Sequence, residues 1–174
     1  FWKHYIACGT IARIISSYLN NTVTERFFLA GLLLDIGRLI MFKFYPLEAK
    51  EALLRARRTN SLLRETEEEV MGFDHALIGG ILLKQWKLPV VLETSVAHHH
   101  TPKASQPRLE HAVVHLSDII TNGLGIGTSG EQFVPPLDTR AWEEIGLPMG
   151  IVSATINQAD AHIAATIHIF FPNE

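Results

Sequence analysis

Histidine and aspartate residues recur along this chain among mostly apolar neighbours, a setting in which such side chains bind metal ions or pair with one another. They are His4, Asp35, His75, the triplet His98, His99 and His100, and Asp118. Their nitrogen and oxygen atoms suit a hard or borderline divalent cation such as Mg, Mn, Fe or Zn. Each histidine alone is better explained by a hydrogen-bonded or exposed role, but together the residues indicate a candidate metal centre.

The stretch at residues 27–40, FFLAGLLLDIGRLI, predicts the central and most buried helix of the fold. Its first eight residues carry no polar side chain, and a helix that is apolar on every side is a buried helix. Asp35 follows directly, and a buried carboxylate must pair, bind metal or take up a proton. Asp35 is either a structural acid, paired with Arg38 or a histidine, or a metal ligand. Gly31 and Gly37 weaken the helix, which indicates close packing against their backbone.

A local metal site is a further hypothesis, on the helix that contains VVHLSDII. His111, His115 and Asp118 are spaced i, i+4 and i+7, so they share one face of that helix. Such a face can bind a metal ion, although an ordinary polar edge is the simpler explanation. Both interpretations remain open at this point.

Helical periodicity and helix boundary signals recur along the rest of the chain. Helices are predicted at residues 1–19, after Pro46, through the acidic run 65–69, at 76–86, at 90–100, from Pro107 to 121, around 141–145 and at 148–169. No segment carries a period-2 alternation bounded by hairpin turns, so strands have little support. The predicted fold class is all-α, a helical bundle in one domain with a buried central helix.

Polar residues mark several predicted helix boundaries. Thr22, with Glu25 three residues later, forms a capping-box pattern before the central helix. Asp74 and Ser61 are predicted to cap the helices that follow them. The acidic run at residues 65–69 predicts a solvent-exposed helix face.

Composition narrows the class of protein and its partners. Of the 174 residues, 47% are hydrophobic and 19% are charged, which favours a globular protein over a disordered one. A net charge of -3 gives no reason to expect nucleic-acid binding. The apolar runs are shorter than the roughly 20 residues that a membrane span needs, so no membrane contact is expected. The single cysteine, Cys8, cannot form an internal disulfide, which fits a reducing cytoplasm.

The motifs and their order resemble those of the HDOD domain, the HD-related output domain of bacterial signalling proteins. This domain belongs to the HD superfamily of metal-dependent phosphohydrolases, whose signature AGLLHDIGK is similar to AGLLLDIGRL in this chain. FWKHYIACGTIAR, EEEVMGFDHALIGGILLKQWKLP and SVAHHHTP also resemble family motifs and follow the family order. The resemblance covers roughly residues 1–122 and implies an HD-domain-like helical bundle.

The resemblance also implies a set of site residues. The metal ligands would be His4, Asp35, His75, His99, His100 and Asp118, and Arg38 would hold a phosphate oxygen. His99 and His100 precede a Thr-Pro dipeptide at the family spacing, which leaves His98 as the spare, although the alignment within the triplet stays open. Leu34 stands where the HD signature has its histidine, and leucine offers no lone pair to a metal. The implied ligand set is therefore incomplete.

The missing histidine decides which function we expect. In catalytic relatives, one or two metal ions lower the pKa of a bound water and polarise a phosphate ester. Without one ligand, the chain is expected to be a non-catalytic regulatory module that acts through protein interaction or ligand binding. The alternative is a phosphohydrolase with an incomplete site, acting on a nucleotide or a cyclic dinucleotide.

Domain organisation and partners follow from the same resemblance. Family members usually begin with a further helical lobe, so residues 1–174 are expected to be the HD-like half of an HDOD domain. The sequence opens inside a predicted helix, which indicates that it is part of a longer chain. We expect a protein partner in a signalling pathway, or flanking signalling domains, in the cytoplasm of a bacterium.

Overall fold

The chain folds into α-helices that pack around one another. The computed structural model describes residues 1–20, 23–101 and 108–170, and these contain helices and no strand. In chain order the helices are α1 (Trp2–Tyr18), α2 (Thr24–Leu33), α3 (Ile36–Phe44), α4 (Pro46–Thr59), α5 (Leu63–Met71), α6 (His75–Gln85), α7 (Val90–Ala97), α8 (Arg108–Leu124), α9 (Thr139–Ile145) and α10 (Gly150–Phe170). The predicted all-α class is confirmed.

Helix α1 lies at the centre of the fold. It packs against α2, α8 and α10, and 12 of its 17 residues are buried. Ile11 and Ile15 are fully buried among apolar side chains of α8, α9 and α10. Because neighbours cover α1 on several sides, its polar residues His4 and Cys8 are also placed in the interior.

The predicted central helix at residues 27–40 is two helices. Helix α2 ends at Leu33 and α3 begins at Ile36, with Leu34 and Asp35 in a turn between them. The prediction failed because apolar residues occur at helical spacing on both sides of Asp35, so the sequence pattern contains no signal that the helix ends there. The prediction that this stretch is the most buried is also wrong, since Leu29 on α2 is 42% exposed.

Two glycines bring these helices close to their neighbours, as predicted. A Cβ atom on Gly31 would lie 2.8 Å from the backbone of Cys8, where α2 crosses α1. A Cβ atom on Gly37 would collide with the carbonyl oxygen of His75, where α3 meets α6. Neither contact leaves room for a side chain, so both glycines allow helices that carry site residues to pack against each other.

The predicted helix caps were partly correct. Asp74 caps α6, and its carboxylate accepts a hydrogen bond of 2.9 Å from a backbone amide in the first turn. Ser61 does not cap α5, which begins at Leu63. The Leu63 amide donates instead to the Glu131 carboxylate at 2.8 Å, so a loop distant in sequence supplies the cap.

Some sequence predictions concern residues outside the described ranges. These are the capping box at Thr22, the helix start at Pro107 and the proline that follows the histidine triplet. Among the helices that the structure describes, none combines the length and the apolar character needed to cross a membrane.

Candidate metal centre

The Asp35 carboxylate lies in the middle of a buried polar cluster. Its Oδ1 is 2.9 Å from Nε2 of His75 and 3.3 Å from Nη1 of Arg38. Its Oδ2 is 3.7 Å from Nε2 of His4 and has no hydrogen-bond partner among the described residues. Because Asp35 is only 1% exposed, these side chains replace the water that would otherwise solvate its charge.

His75 is held from its other side by Glu67 of α5. Oε2 of Glu67 lies 2.5 Å from Nδ1 of the ring and accepts a hydrogen bond from the His75 backbone amide at 3.1 Å. Arg38 donates through Nε to Oε1 of Glu67 at 3.2 Å and through Nη1 to the Ser129 carbonyl at 3.1 Å. These contacts orient the His75 ring so that Nε2 faces Asp35.

His99 and His100, called the histidine pair below, complete this side of the cluster. Nε2 of His100 lies 2.9 Å from Nε2 of His75, and the ligand nitrogens of these three residues are all within 4.8 Å of one another. Nδ1 of His99 donates to the Val96 carbonyl at 2.8 Å, which directs Nε2 into the cluster. That Nε2 lies 4.0 Å from Oδ1 of Asp35 and has no hydrogen-bond partner among the described residues.

A second group of potential ligands adjoins the first, on α1 and α8. Nε2 of His4 lies 3.4 Å from Oδ1 of Asp118 and 3.5 Å from Sγ of Cys8. Asp118 also accepts a hydrogen bond of 2.8 Å from the side-chain amide of Asn122. His4 and Cys8 are one helical turn apart on the same face of α1. Because His4 also lies beside Asp35, it connects the two groups.

Charges inside the cluster oppose the effect of burial on the pKa values. Burial lowers the pKa of His75 and Arg38 lowers it further, but Glu67 and Asp35 raise it to about 9. Burial raises the pKa of Asp35, but Arg38 and His75 lower it well below its ordinary value. In the histidine pair, burial and neighbouring histidines lower the pKa, so these rings stay neutral at pH 7. A neutral imidazole keeps the lone pair that a metal ion needs.

The family of the chain follows from comparison with known proteins. The family model of the HDOD domain matches residues 1–102, which is more than half of the chain. The chain belongs to the HDOD family. The matched region of this HDOD domain contains His4, Asp35, His75 and the histidine pair. A comparison with curated proteins gave no match.

Solved structures share the fold of this HDOD domain. An HDOD domain protein of unknown function from Geobacter sulfurreducens gives a TM-score of 0.82 at 21% identity, over 98% of this chain and 62% of that chain. A Shewanella amazonensis SB2B protein, provisionally described as a phosphohydrolase, gives a TM-score of 0.74 at 20% identity, over 94% of this chain and 60% of that chain. A Marinobacter aquaeolei VT8 protein, provisionally described as a signal transduction protein, gives a TM-score of 0.72 at 18% identity, over 95% of this chain and 38% of that chain. The chain thus spans less than two thirds of each.

The HDOD fold brings all of the predicted ligands into one cluster. They are His4, Asp35, His75, His99, His100 and Asp118. The structure also distinguishes the members of the histidine triplet, because His98 packs beside His111 instead, with ring centroids 6.1 Å apart. Whether these residues bind a metal ion stays a prediction.

The local metal site predicted at His111, His115 and Asp118 is on α8. Both of its histidines make other contacts there. Nδ1 of His115 donates to the His99 carbonyl at 2.8 Å, and its Nε2 accepts a hydrogen bond of 3.0 Å from the backbone amide of Asp138, the N-cap of α9. Nε2 of His111 lies 3.1 Å from the hydroxyl of Thr94. With both nitrogens of His115 in use, the geometry favours the polar-edge interpretation of this face.

Arg38 has a structural role in this arrangement. It is 2% exposed, and its guanidinium group pairs with the carboxylates of Asp35 and Glu67. It therefore offsets part of the negative charge in the cluster. Its binding of a phosphate oxygen stays a prediction.

Two members of the cluster, Glu67 and Cys8, are not among the predicted ligands. The acidic run is not a uniformly solvated face, because Glu67 is 3% exposed. Spacing is a weak signal for this burial, since Leu63, Glu67 and Val70 are spaced i, i+4 and i+7 on one stripe of α5, but a stripe alone does not show that its glutamate finds buried partners. For Cys8 the signal is that it follows His4 by one helical turn.

The residues present fit a divalent metal ion. Asp35 Oδ2 and His99 Nε2 are buried ligand atoms without a hydrogen-bond partner among the described residues. A buried polar atom left without a partner costs about 1–3 kcal/mol, and more when it is charged. The imidazole and carboxylate donors around these two atoms are those that divalent metal sites use.

Proposed function

We propose that this HDOD domain is a non-catalytic regulatory module of bacterial signal transduction that acts through protein interaction or ligand binding. The observation that carries the proposal is Leu34, which occupies the histidine position of the HD signature. It is 0% exposed and packs in an apolar group with Cys8, Val96 and Val114. Its side chain offers no electron pair, so a catalytic site would lack one ligand beside Asp35.

Burial of the cluster supports the same proposal. A metal ion held there would activate water and polarise a phosphate ester, but this chemistry needs an open coordination position that substrate can reach. Asp35, His75 and His99 are each 1% exposed or less. Substrate would have to displace part of the surrounding protein to approach them.

The proposal is tested by assaying hydrolysis with Mn, Mg, Fe and Ni present. The substrates are generic phosphodiesters, nucleotides and cyclic dinucleotides, and the expected result is no turnover above background. Asp35→Ala and Asp118→Ala are the matched variants, because a contaminating enzyme would be insensitive to both. Turnover by the parent protein that both substitutions abolish would overturn the non-catalytic proposal.

A metal-dependent phosphohydrolase with an incomplete site is the alternative. The observation that favours it is the grouping of His75 with the histidine pair, all within 4.8 Å, next to the Asp35 carboxylate. The Shewanella neighbour described provisionally as a phosphohydrolase gives it some support. Leu34→His separates the two functions: activity that appears only in this variant shows that the parent site lacks one ligand, and equal activity in both favours the enzyme.

The location and partner are further parts of the proposal. We place the module in the bacterial cytoplasm, with a signalling protein or flanking signalling domains as its partner. Residues 1–174 then correspond to the HD-like half of an HDOD domain. Fractionation of cells that express the full-length protein tests the location, and crosslinking in those cells to a defined signalling protein tests the partner.

A further inference from the structure

We propose that Cys8 is a zinc ligand that supplies the coordination position which Leu34 cannot. It completes a four-residue site with His4, Asp35 and Asp118, which come from α1, the turn before α3, and α8. The inference concerns the ion and not a reaction, so it does not rest on the proposed regulatory role.

Three potential ligand atoms surround Nε2 of His4 at distances close to those between neighbouring ligands of a tetrahedral zinc site. That Nε2 lies 3.5 Å from Cys8 Sγ, 3.4 Å from Asp118 Oδ1 and 3.7 Å from Asp35 Oδ2. With Zn–N of about 2.0 Å and Zn–S of about 2.3 Å, neighbouring ligand atoms of a tetrahedron are about 3.3–3.6 Å apart. The ligand atoms of His4, Cys8 and Asp118 are all within 4.8 Å of one another. One ion therefore fits between the three, and Asp35 Oδ2, beside His4, is the fourth ligand atom of the proposed site.

An unpartnered carboxylate oxygen provides the independent evidence for a cation. Asp35 Oδ2 is buried, has no hydrogen-bond partner among the described residues, and faces His4. Oδ1 of the same group already contacts His75 and Arg38. A zinc ion beside His4 would give Oδ2 the partner that it lacks.

The position of Cys8 explains how a thiolate can substitute for the histidine of the HD signature. Cys8 and Leu34 belong to the same apolar group, and both are 0% exposed. The close crossing at Gly31 fixes the Cys8 backbone against α2, the helix that leads into Leu34. The sulfur therefore comes from α1, beside the helix that leads into the family position at Leu34.

The sulfur ligand also selects the ion and its role. Thiolate is a soft ligand that favours zinc over magnesium or manganese. Four protein ligands around zinc leave no open position, which is the arrangement of structural zinc sites. Cys8 is fully buried, so holding an ion fits its setting better than attack on a substrate from solution.

The test is the metal content of the chain purified without chelator, measured by elemental analysis for the parent and for Cys8→Ser. We expect zinc in the parent and one zinc ion fewer per chain in the variant. Loss of a direct ligand should weaken zinc binding by more than the about 10–100-fold that loss of an outer-shell partner costs. His111→Gln is the matched control, because it removes a buried histidine that lies outside both ligand groups, and its zinc content should equal that of the parent.

Cobalt substitution gives a second readout that requires no variant to fold. The parent protein loaded with Co²⁺ should show the near-ultraviolet charge-transfer absorption of a cobalt–thiolate bond, which Cys8, the single cysteine of the sequence, must supply. Cobalt binding without that absorption, unchanged zinc content in Cys8→Ser, or a parent that binds iron or manganese but no zinc would overturn the proposal. Hydrolysis that persists in Cys8→Ser would arise outside this closed site, so it would overturn the regulatory role and leave the zinc site in place.

Discussion

One carboxylate oxygen of Glu67 contacts both the ring and the backbone amide of His75. Oε2 of Glu67 lies 2.5 Å from Nδ1 and accepts a hydrogen bond of 3.1 Å from the backbone amide. A carboxylate on the outer nitrogen of a histidine sets its tautomer and directs the other nitrogen toward a metal. Glu67 therefore positions His75 for the cluster without being one of the candidate ligands.

Replacing Glu67 should weaken metal binding and the fold together. We expect Glu67→Gln to lower metal affinity by about 10–100-fold, because the outer partner of His75 is lost. In the metal-free protein it should cost about 1.5–3 kcal/mol of unfolding free energy, as expected for hydrogen bonds to a charged group. Glu68→Gln is the matched control, since Glu68 is the exposed neighbour on the same helix. Titration calorimetry and urea unfolding measure the two effects, and equal results for both variants would contradict this role.

The Glu67–His75 pair should make stability depend on pH in the chelator-treated protein. Burial raises the pKa of Glu67, but His75 and Arg38 lower it from 4.5 to about 2, so its contribution is lost as the pH falls through that range. The pKa of His75 is raised from 6.5 to about 9, so its contribution is lost as the pH rises through that range. The pair should therefore stabilise the fold most between about pH 4.5 and 6.5.

The measurement is the difference in unfolding free energy between the parent and Glu67→Gln, followed by urea unfolding from acid to alkaline pH. Taking the difference removes the contributions of other titrating groups. We expect the difference to be largest in the middle of the range and to shrink toward both ends. A difference that stays constant with pH would show that the pair does not titrate as its contacts indicate.

Asp35 should stabilise the fold even when no metal is bound. Asp35→Asn leaves the side-chain shape intact but weakens contacts with His75, Arg38 and His4. We expect a cost of roughly 1–3 kcal/mol, the range for a broken buried polar contact. Asp160→Asn provides the control, because Asp160 is exposed on α10. The measurement is the melting temperature in the presence of chelator. Equal melting temperatures for Asp35→Asn, Asp160→Asn and the parent would contradict the pairing.

Leu34 should contribute to the core in proportion to its burial. Leu34→Ala removes a side chain that is 0% exposed, and such truncations cost about 2–5 kcal/mol. Leu29→Ala, at a position that is 42% exposed on α2, should cost clearly less. Chemical denaturation of the two variants decides the matter, and equal losses would mean that the turn at Leu34 is not a packed part of the core.

The sequence by itself determined the all-α class, most of the helices and most of the residues that form the buried cluster. Helical periodicity, proline positions and the Asp74 cap are local signals, and local signals are what a sequence displays directly. The HDOD family motifs added the identities of His4, Asp35, His75 and the histidine pair. Both kinds of information depend on residues that are close in sequence or on motif order, so the all-α class is confirmed and these residues lie together, while their binding of a metal ion stays a prediction.

Tertiary structure decided where the central segment breaks and which further side chains enter the cluster. The turn at Leu34 and Asp35 lies between two apolar stretches that read as one helix, and contacts from His75 and His4 on other helices hold the carboxylate there. Glu67 is buried because α5 packs against α4 and its side chain reaches across to α6, although its neighbours in sequence are solvated glutamates. The free energy of burying a charge depends on which partners the whole fold supplies, and that is not a property of the residues adjacent in sequence.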